Sequence, residues 1–145
     1  MIDDKLLTAY HCAKYIVEYE GQEYPIQVGE TCEIANRLLS HHKVHNGYFI
    51  TPENPLSCLL SDDENIQRHA RFLDLLHQRN CVYLSGYGTD EAQTWPKEVS
   101  YLIFTDDELW IKNLAADFGQ NAFLKLTTRQ PTQLYVLASQ HYVPR

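Results

Sequence analysis

Two alternating stretches joined by a tight turn constrain this chain more than anything else in it. In residues 14–20, Tyr15, Val17 and Tyr19 fall on one face, and Glu20-Gly21 supplies a turn. Residues 23–28 repeat the pattern, with Tyr24, Ile26 and Val28 on a common face. A period of two on both sides of a glycine turn reads as a β-hairpin. A hairpin pairs its strands antiparallel, which argues against a purely parallel, doubly wound sheet. Pro25 has no N–H to give a ladder, so the second strand is expected at a sheet edge.

The rest of the chain alternates between the two periodicities. Residues 3–12 carry Leu6, Leu7 and Tyr10 as an apolar stripe and read as a short opening helix. Thr31 is placed to cap a helix that bears Ile34, Ala35, Leu38 and Leu39 and ends near His41-His42. Residues 48–51 form a short strand that runs into the turn-rich Pro52-Glu53-Asn54-Pro55. Ser61-Asp62-Asp63-Glu64 is a capping box with its acids set against the helix dipole, opening a helix to about Arg79. A strand over 81–85 is expected to break at Gly86-Tyr87-Gly88, and the apolar run 99–104 to form a central strand. Thr105-Asp106-Asp107-Glu108 reads as a second capping box, its helix closed by Gly119 at C′. Residues 122–127 and 133–138 complete the count as strands. The sum is a single α+β domain over 1–145: one mixed or antiparallel sheet, an N-terminal β-hairpin and about three covering helices.

Composition narrows the function classes. With 12 Lys and Arg against 19 Asp and Glu, the formal charge of −7 repels phosphate backbones, so nucleic acid is not an expected partner. No apolar run approaches the roughly 18 residues a membrane span needs, and Met1-Ile2-Asp3-Asp4-Lys5 lacks a signal peptide's basic start. A cytoplasmic protein with no membrane association is expected. Cys12, Cys32, Cys58 and Cys81 show no C-x-x-C spacing and are expected to be reduced thiols acting mostly as small core hydrophobes. His41 and His45 stand i, i+4, but the helix is expected to end between them, so no metal site is expected. Gly86-Tyr87-Gly88 lacks the third glycine or Lys-Ser/Thr of a phosphate loop, and no cofactor is expected. Trp110 belongs to the stripe of Leu109, Ile111, Leu114, Ala115 and Phe118 and reads as packing.

Within the helix over 62–79, polar residues stand in the wrong place. Ile66, Ala70, Phe72, Leu73, Leu75 and Leu76 define a broad apolar face, yet Asn65, Arg68 and His69 project with them in the first two turns. Polar groups turned inward need partners, because each one left unpaired costs about 1–3 kcal/mol. They belong either to an internal hydrogen-bond network or to the wall of a pocket.

Five strings in one order then resemble a known family. They are Gly47-Tyr48-Phe49-Ile50-Thr51-Pro52-Glu53-Asn54-Pro55, Glu64-Asn65 with Arg68, Gly86-Tyr87-Gly88, Trp95-Pro96-Lys97-Glu98, and Phe118-Gly119-Gln120-Asn121-Ala122. Together they are similar to the bacterial domain-of-unknown-function family numbered 3293, over roughly residues 9–126. Glu53, Lys97 and Phe104-Thr105 depart from that family's usual residues. The resemblance implies membership without supplying an activity.

The residues it singles out have chemistry of their own. Asn54 before Pro55 suits a turn or a ligand contact. Gln120 and Asn121, just past a helix end, each offer a donor and an acceptor. Trp95 beside Glu98 pairs a stacking surface with a carboxylate, and Arg68 could meet Glu98 or a ligand anion in a fork. With Asn65 these seven form a candidate pocket at one set of strand ends. The first reading is a domain that binds a small polar, anionic or nucleotide-like ligand. The alternative is a protein-interaction or regulatory module, with a protein partner, in which the same residues brace loops. A third is an enzyme with Glu98 as general base and Arg68 as anion clamp.

Overall fold

The computed structural model describes residues 4–55, 58–90, 92, 96–137 and 141–143, the last three as backbone. Among them the helices are α1 (Asp4–Cys12), α2 (Glu33–His41), α3 (Asp62–Gln78) and α4 (Glu108–Asp117). The strands are β1 (Lys14–Tyr19), β2 (Gln22–Ile26), β3 (Asn46–Ile50), β4 (Val82–Thr89), β5 (Glu98–Phe104), β6 (Ala122–Thr127), β7 (Gln133–Val136) and β8 (His141–Val143). They form one sheet in the order β2-β1-β4-β5-β3-β6-β7-β8, and every strand pairing is antiparallel. The hairpin is β1–β2, Pro25 lies in the edge strand β2, and the apolar β5 is central, as the patterns predict.

The sheet curls. Val28, just past β2, makes a parallel bridge to Thr132, just before β7, and the amide of Gly29 donates to the Thr132 carbonyl at 2.8 Å. β2 and β7 stand six places apart in the strand order, about 29 Å in a flat sheet. Their contact requires the strands between them to bend round one face. That inner face packs Val17, Phe49, Leu102, Leu124 and Leu134 against Ile34, Ala35, Leu38 and Leu39 of α2. The outer face packs Tyr48, Ile50, Tyr101, Ile103, Phe123 and Tyr135 against Phe72 and Leu76 of α3 and Ile111, Leu114 and Ala115 of α4. α1 adjoins the inner face but buries no residue. The fold is α+β in three layers, and no described helix is long and apolar enough to cross a membrane.

Several local expectations are corrected. Gly86-Tyr87-Gly88 does not break β4 but lies within it, because Gly86 lets β1 approach: a Cβ there would stand 2.1 Å from the Ile16 carbonyl oxygen. The N-cap of α2 is Cys32, since Thr31 stands one residue too early for the first turn. The capping box at Ser61 forms in full. The one expected at Thr105 does not; Asp107 is the cap of α4, and Glu108 is drawn instead to Tyr48 and Lys125. Gly119 closes α4 at φ +68° with both Schellman bonds, from its own amide to Ala116 and from Gln120 to Ala115. Cys12 and Cys58 are exposed, so only Cys32 and Cys81 approach the role of core hydrophobes.

Candidate functional site

Antiparallel register places the ends of β3, β4 and β7 beside the starts of β1, β5 and β6. Lys14 pairs with Thr89, Gly88 with Glu98, Ile50 with Tyr101 and Ala122 with Val136. The start of the loop after β3, the two ends of the β4–β5 connection and Gln120-Asn121 before β6 therefore meet at one end of the sheet. Loops gathered at strand ends can specialise while the sheet beneath stays rigid.

Asn54 is the hub. It is 4% exposed and sits at φ +49°, a left-handed conformation that Asn tolerates better than most residues. Its Nδ2 donates to Glu98 Oε2 at 2.7 Å, and its Oδ1 accepts from the Leu60 amide at 2.8 Å and from Asn65 Nδ2 at 3.0 Å. Asn65 Oδ1 accepts in turn from the Asn54 amide at 3.2 Å. The Asn pair thus locks the loop after β3 onto the first turn of α3.

One turn further on, Arg68 joins the same loop to α4. Its Nε donates to the Pro52 carbonyl at 2.6 Å, and an Nη donates to the Phe118 carbonyl at the C-terminal end of α4. A cation is favoured at that end, where unsatisfied carbonyls concentrate negative charge. Of the two partners expected for Arg68, Glu98 or the loop of Asn54, the described bonds reach the loop, through the Pro52 carbonyl. Gln120 Nε2 donates to the Glu53 carbonyl at 2.8 Å and lies 3.4 Å from the Phe118 oxygen. Asn121 is half-buried, and its carbonyl accepts from the Leu137 amide at 2.8 Å. Trp95 lies outside the described residues.

His69, flagged by its inward position, finds a partner that the sequence does not announce. Its Nε2 stands 2.5 Å from Glu53 Oε2, and its Nδ1 2.9 Å from the Tyr101 hydroxyl. Burial, then the nearby Tyr83 and Glu53, raise the pKa of Tyr101. The inward stripe of α3 is therefore Asn65, Arg68 and His69, half-buried, followed by the buried Phe72 and Leu76, at helical spacing. Ile66, expected on that face, is 64% exposed, and Ala70 is exposed as well.

Beside this network lies a cavity of about 420 Å³, between α1 and the inner face of the sheet. Three of the seven expected residues, Asn54, Glu98 and Gln120, line it; Asn65, Arg68 and Asn121 do not. Leu6, Ala9, Tyr10 and Ala13 form one wall, facing Tyr15, Phe49, Leu124 and Leu134 from the sheet. The polar end carries Thr51, Thr89, Asp90 and Ser100 besides the three expected residues. The Tyr15 hydroxyl donates to the Tyr10 carbonyl at 2.6 Å, tying the last turn of α1 to the sheet. Sequence reasoning missed Tyr10, Tyr15 and Asp90. The alternation of β1 placed Tyr15 on a buried face, but nothing local showed that α1 would stand over it with space between.

The chemistry of this arrangement is divided. Asn54, Asn65, Arg68 and Gln120 spend their hydrogen bonds on loops and brace the rim. The cavity itself offers an apolar chamber with two carboxylates, amides and hydroxyls at one end. No group of three His, Cys, Asp or Glu able to hold a metal ion occurs among the described residues.

Neither the curated proteins nor the solved structures compared with this chain include a match. A family model does match, over residues 50–123, and its description is a protein of unknown function, DUF3293. The match runs from the last residue of β3 to the start of β6, with all seven expected residues from Asn54 to Asn121, and leaves out everything from α1 to most of β3 and everything after the start of β6. That span of loop, helix and strand ends is half of the molecule and its whole polar network, and the chain belongs to the DUF3293 family.

Proposed function

We propose that this protein is a small-molecule-binding domain whose ligand occupies the cavity under α1. The observation that carries the reading is the cavity itself. Its volume of about 420 Å³ falls within the range of roughly 300–1,000 Å³ typical of ligand sites. Its composition, mostly apolar with a few polar groups converging at one end, is what orients and selects a small molecule. The rim is held by hydrogen bonds rather than by packing alone, so the polar end is preorganised at little cost on binding.

A thermal-shift screen of metabolites and nucleotides, run on the natural chain and on Ala9→Trp, tests it. Ala9 is exposed on α1 yet lines the cavity, so a larger side chain can fill the space without disturbing the core. A ligand at 100 times its Kd should stabilise the natural chain by about 2.7 kcal/mol. Ala9→Trp should keep its fold and lose most of that response. A ligand that stabilises both proteins equally, or a broad screen with no hit, would remove the cavity from consideration.

A further inference from the structure

We infer that the ligand of this cavity is a hydrogen-bond donor, an apolar body ending in an O–H or N–H rather than in a carbonyl, ether, carboxylate or phosphate. The inference rests on the binding reading above and adds the sense of the ligand's polar contact. At the polar end, the side chains able to donate direct their protons to the protein itself. Ser100 Oγ donates to the Glu98 carbonyl at 3.0 Å, and Thr51 Oγ1 to the Val99 carbonyl at 2.8 Å. Gln120 Nε2 donates to the Glu53 carbonyl at 2.8 Å. A carbonyl oxygen can only accept, so the direction of these three bonds is fixed by the partner. Thr89 Oγ1 stands 3.4 Å from Asp90 Oδ1, and Asn54 gives one amide proton to Glu98. The second amide proton of Asn54 is what remains on the donor side.

Lone pairs are left over. Among the described residues no group donates to Ser100 Oγ or to Gln120 Oε1, and both residues line the cavity. Ser100 is 3% exposed, so bulk water does little for its oxygen. On β5 it stands two residues from Glu98, on the same face and about 7 Å along the strand. Gly86 and Gly88 of β4 pair with Ser100 and Glu98 and put no side chain over the floor beside them. Tyr15 pairs with Gly88 from the other side and repeats the pattern, giving its proton to the Tyr10 carbonyl. Burial first, then Tyr10 and Glu98, push the Tyr15 pKa far above its ordinary value, so that proton is retained. The carboxylates of Asp90 and Glu98, whatever else they meet, accept when ionised. An O–H or N–H entering here finds acceptors already in place. A ligand carbonyl or carboxylate would face lone pairs and go unpaired, which a buried polar group tolerates poorly.

The test uses two matched pairs, indole with benzofuran and 1-phenylethanol with acetophenone, titrated calorimetrically into the full chain. Each pair keeps one skeleton and exchanges a donor for an oxygen that only accepts. The donor of each pair should bind at least about tenfold more tightly, the size of one added hydrogen bond. Desolvation alone works the other way, since an N–H left unpaired in an apolar cavity loses affinity that benzofuran keeps. Ser100→Ala and Gln120→Met each remove one acceptor. The preference for indole over benzofuran should fall at least about threefold in one of them, while benzofuran affinity holds. Should both variants fail to fold, the two pairs on the natural chain decide. Benzofuran and acetophenone binding as tightly as their partners, and abolished by Ala9→Trp, would overturn the donor inference and leave the cavity as a site. A donor preference that neither folded variant lowers would overturn it as well. Binding of none of the four at millimolar concentration would overturn it too. The cavity reading would fall with it only if the broad screen were also empty.

Discussion

Asn54 concentrates in one side chain the bonds that hold three segments together. Its carboxamide serves Glu98, Leu60 and Asn65, and its backbone adopts φ +49°, which a β-carbon makes costly for most residues. Asn54→Ala strands those partners and should lower stability by about 1–3 kcal/mol, read from urea midpoints. Asn54→Gly should lose no more than Asn54→Ala, since glycine takes positive φ freely and only the side-chain bonds are forfeited. A loss below about 0.5 kcal/mol in both variants, the level of an ordinary surface substitution, would show that the hub is not structural. The Glu53–His69–Tyr101 chain works in the same sense on the outer face. It gives an inward histidine two partners and presses the loop after β3 onto α3.

Among the elements, the β1–β4 pairing depends on a single absent side chain. A Cβ at Gly86 would lie 2.1 Å from the Ile16 carbonyl oxygen and 3.0 Å from the Val17 Cα, both backbone atoms with nowhere to go. At Gly88 the nearest atom is a ring carbon of Tyr15 at 3.4 Å, an ordinary contact. Gly86→Ala should therefore cost about 3 kcal/mol or more, beyond the usual range for overpacking, while Gly88→Ala should cost less than about 1 kcal/mol. Chemical denaturation of the two variants decides it, and equal losses would contradict the geometry. α3 shows the complementary case, a helix whose inward stripe begins polar and ends apolar. Its first two turns grip loops and its later turns grip the core, which is why Ile66 is left outside.

For the molecule as a whole, stability should form a plateau bounded by two sets of shifted groups. Hydrogen bonds from the Ser61 amide and hydroxyl hold Glu64 below its ordinary value of 4.5; the Trp110 amide and then Arg79 hold Asp107 below 3.8. For these acids the folded state binds fewer protons than the unfolded. Their contribution is complete above the ordinary values and is lost as pH falls through the folded ones. Burial raises Tyr15 and Tyr48 above 10.0, reinforced at Tyr48 by the hydrogen bond to Glu108. There the folded state keeps a proton that the unfolded state releases, so stability is complete below 10.0 and declines as pH rises beyond it. Urea midpoints between about pH 3 and 11 should show both limbs, and Tyr15→Phe should flatten the alkaline one by up to about 1.4 kcal/mol per pH unit. An alkaline limb unchanged in Tyr15→Phe would show that this hydroxyl does not stay protonated in the folded chain.

Local physics was legible without coordinates. The β1–β2 hairpin, the edge position announced by Pro25, the capping box at Ser61 and the Schellman close at Gly119 each depend on residues within a few places of one another. The inward turn of Asn65, Arg68 and His69 was readable too, since a helix has one period and polar residues in its stripe must find partners. What the stripe could not name is the partner. Pro52 and Phe118 reach Arg68 from 16 and 50 residues away, and Glu98 reaches Asn54 from 44, distances that only a folded sheet closes. The same holds for the glycines of β4. A pair of glycines reads locally as a break, and only the approach of β1 turns Gly86 into a requirement of pairing. The cavity is the extreme case. It is a space between α1 and a sheet whose curl is set by the bridge from Val28 to Thr132, and empty volume has no residue to signal it.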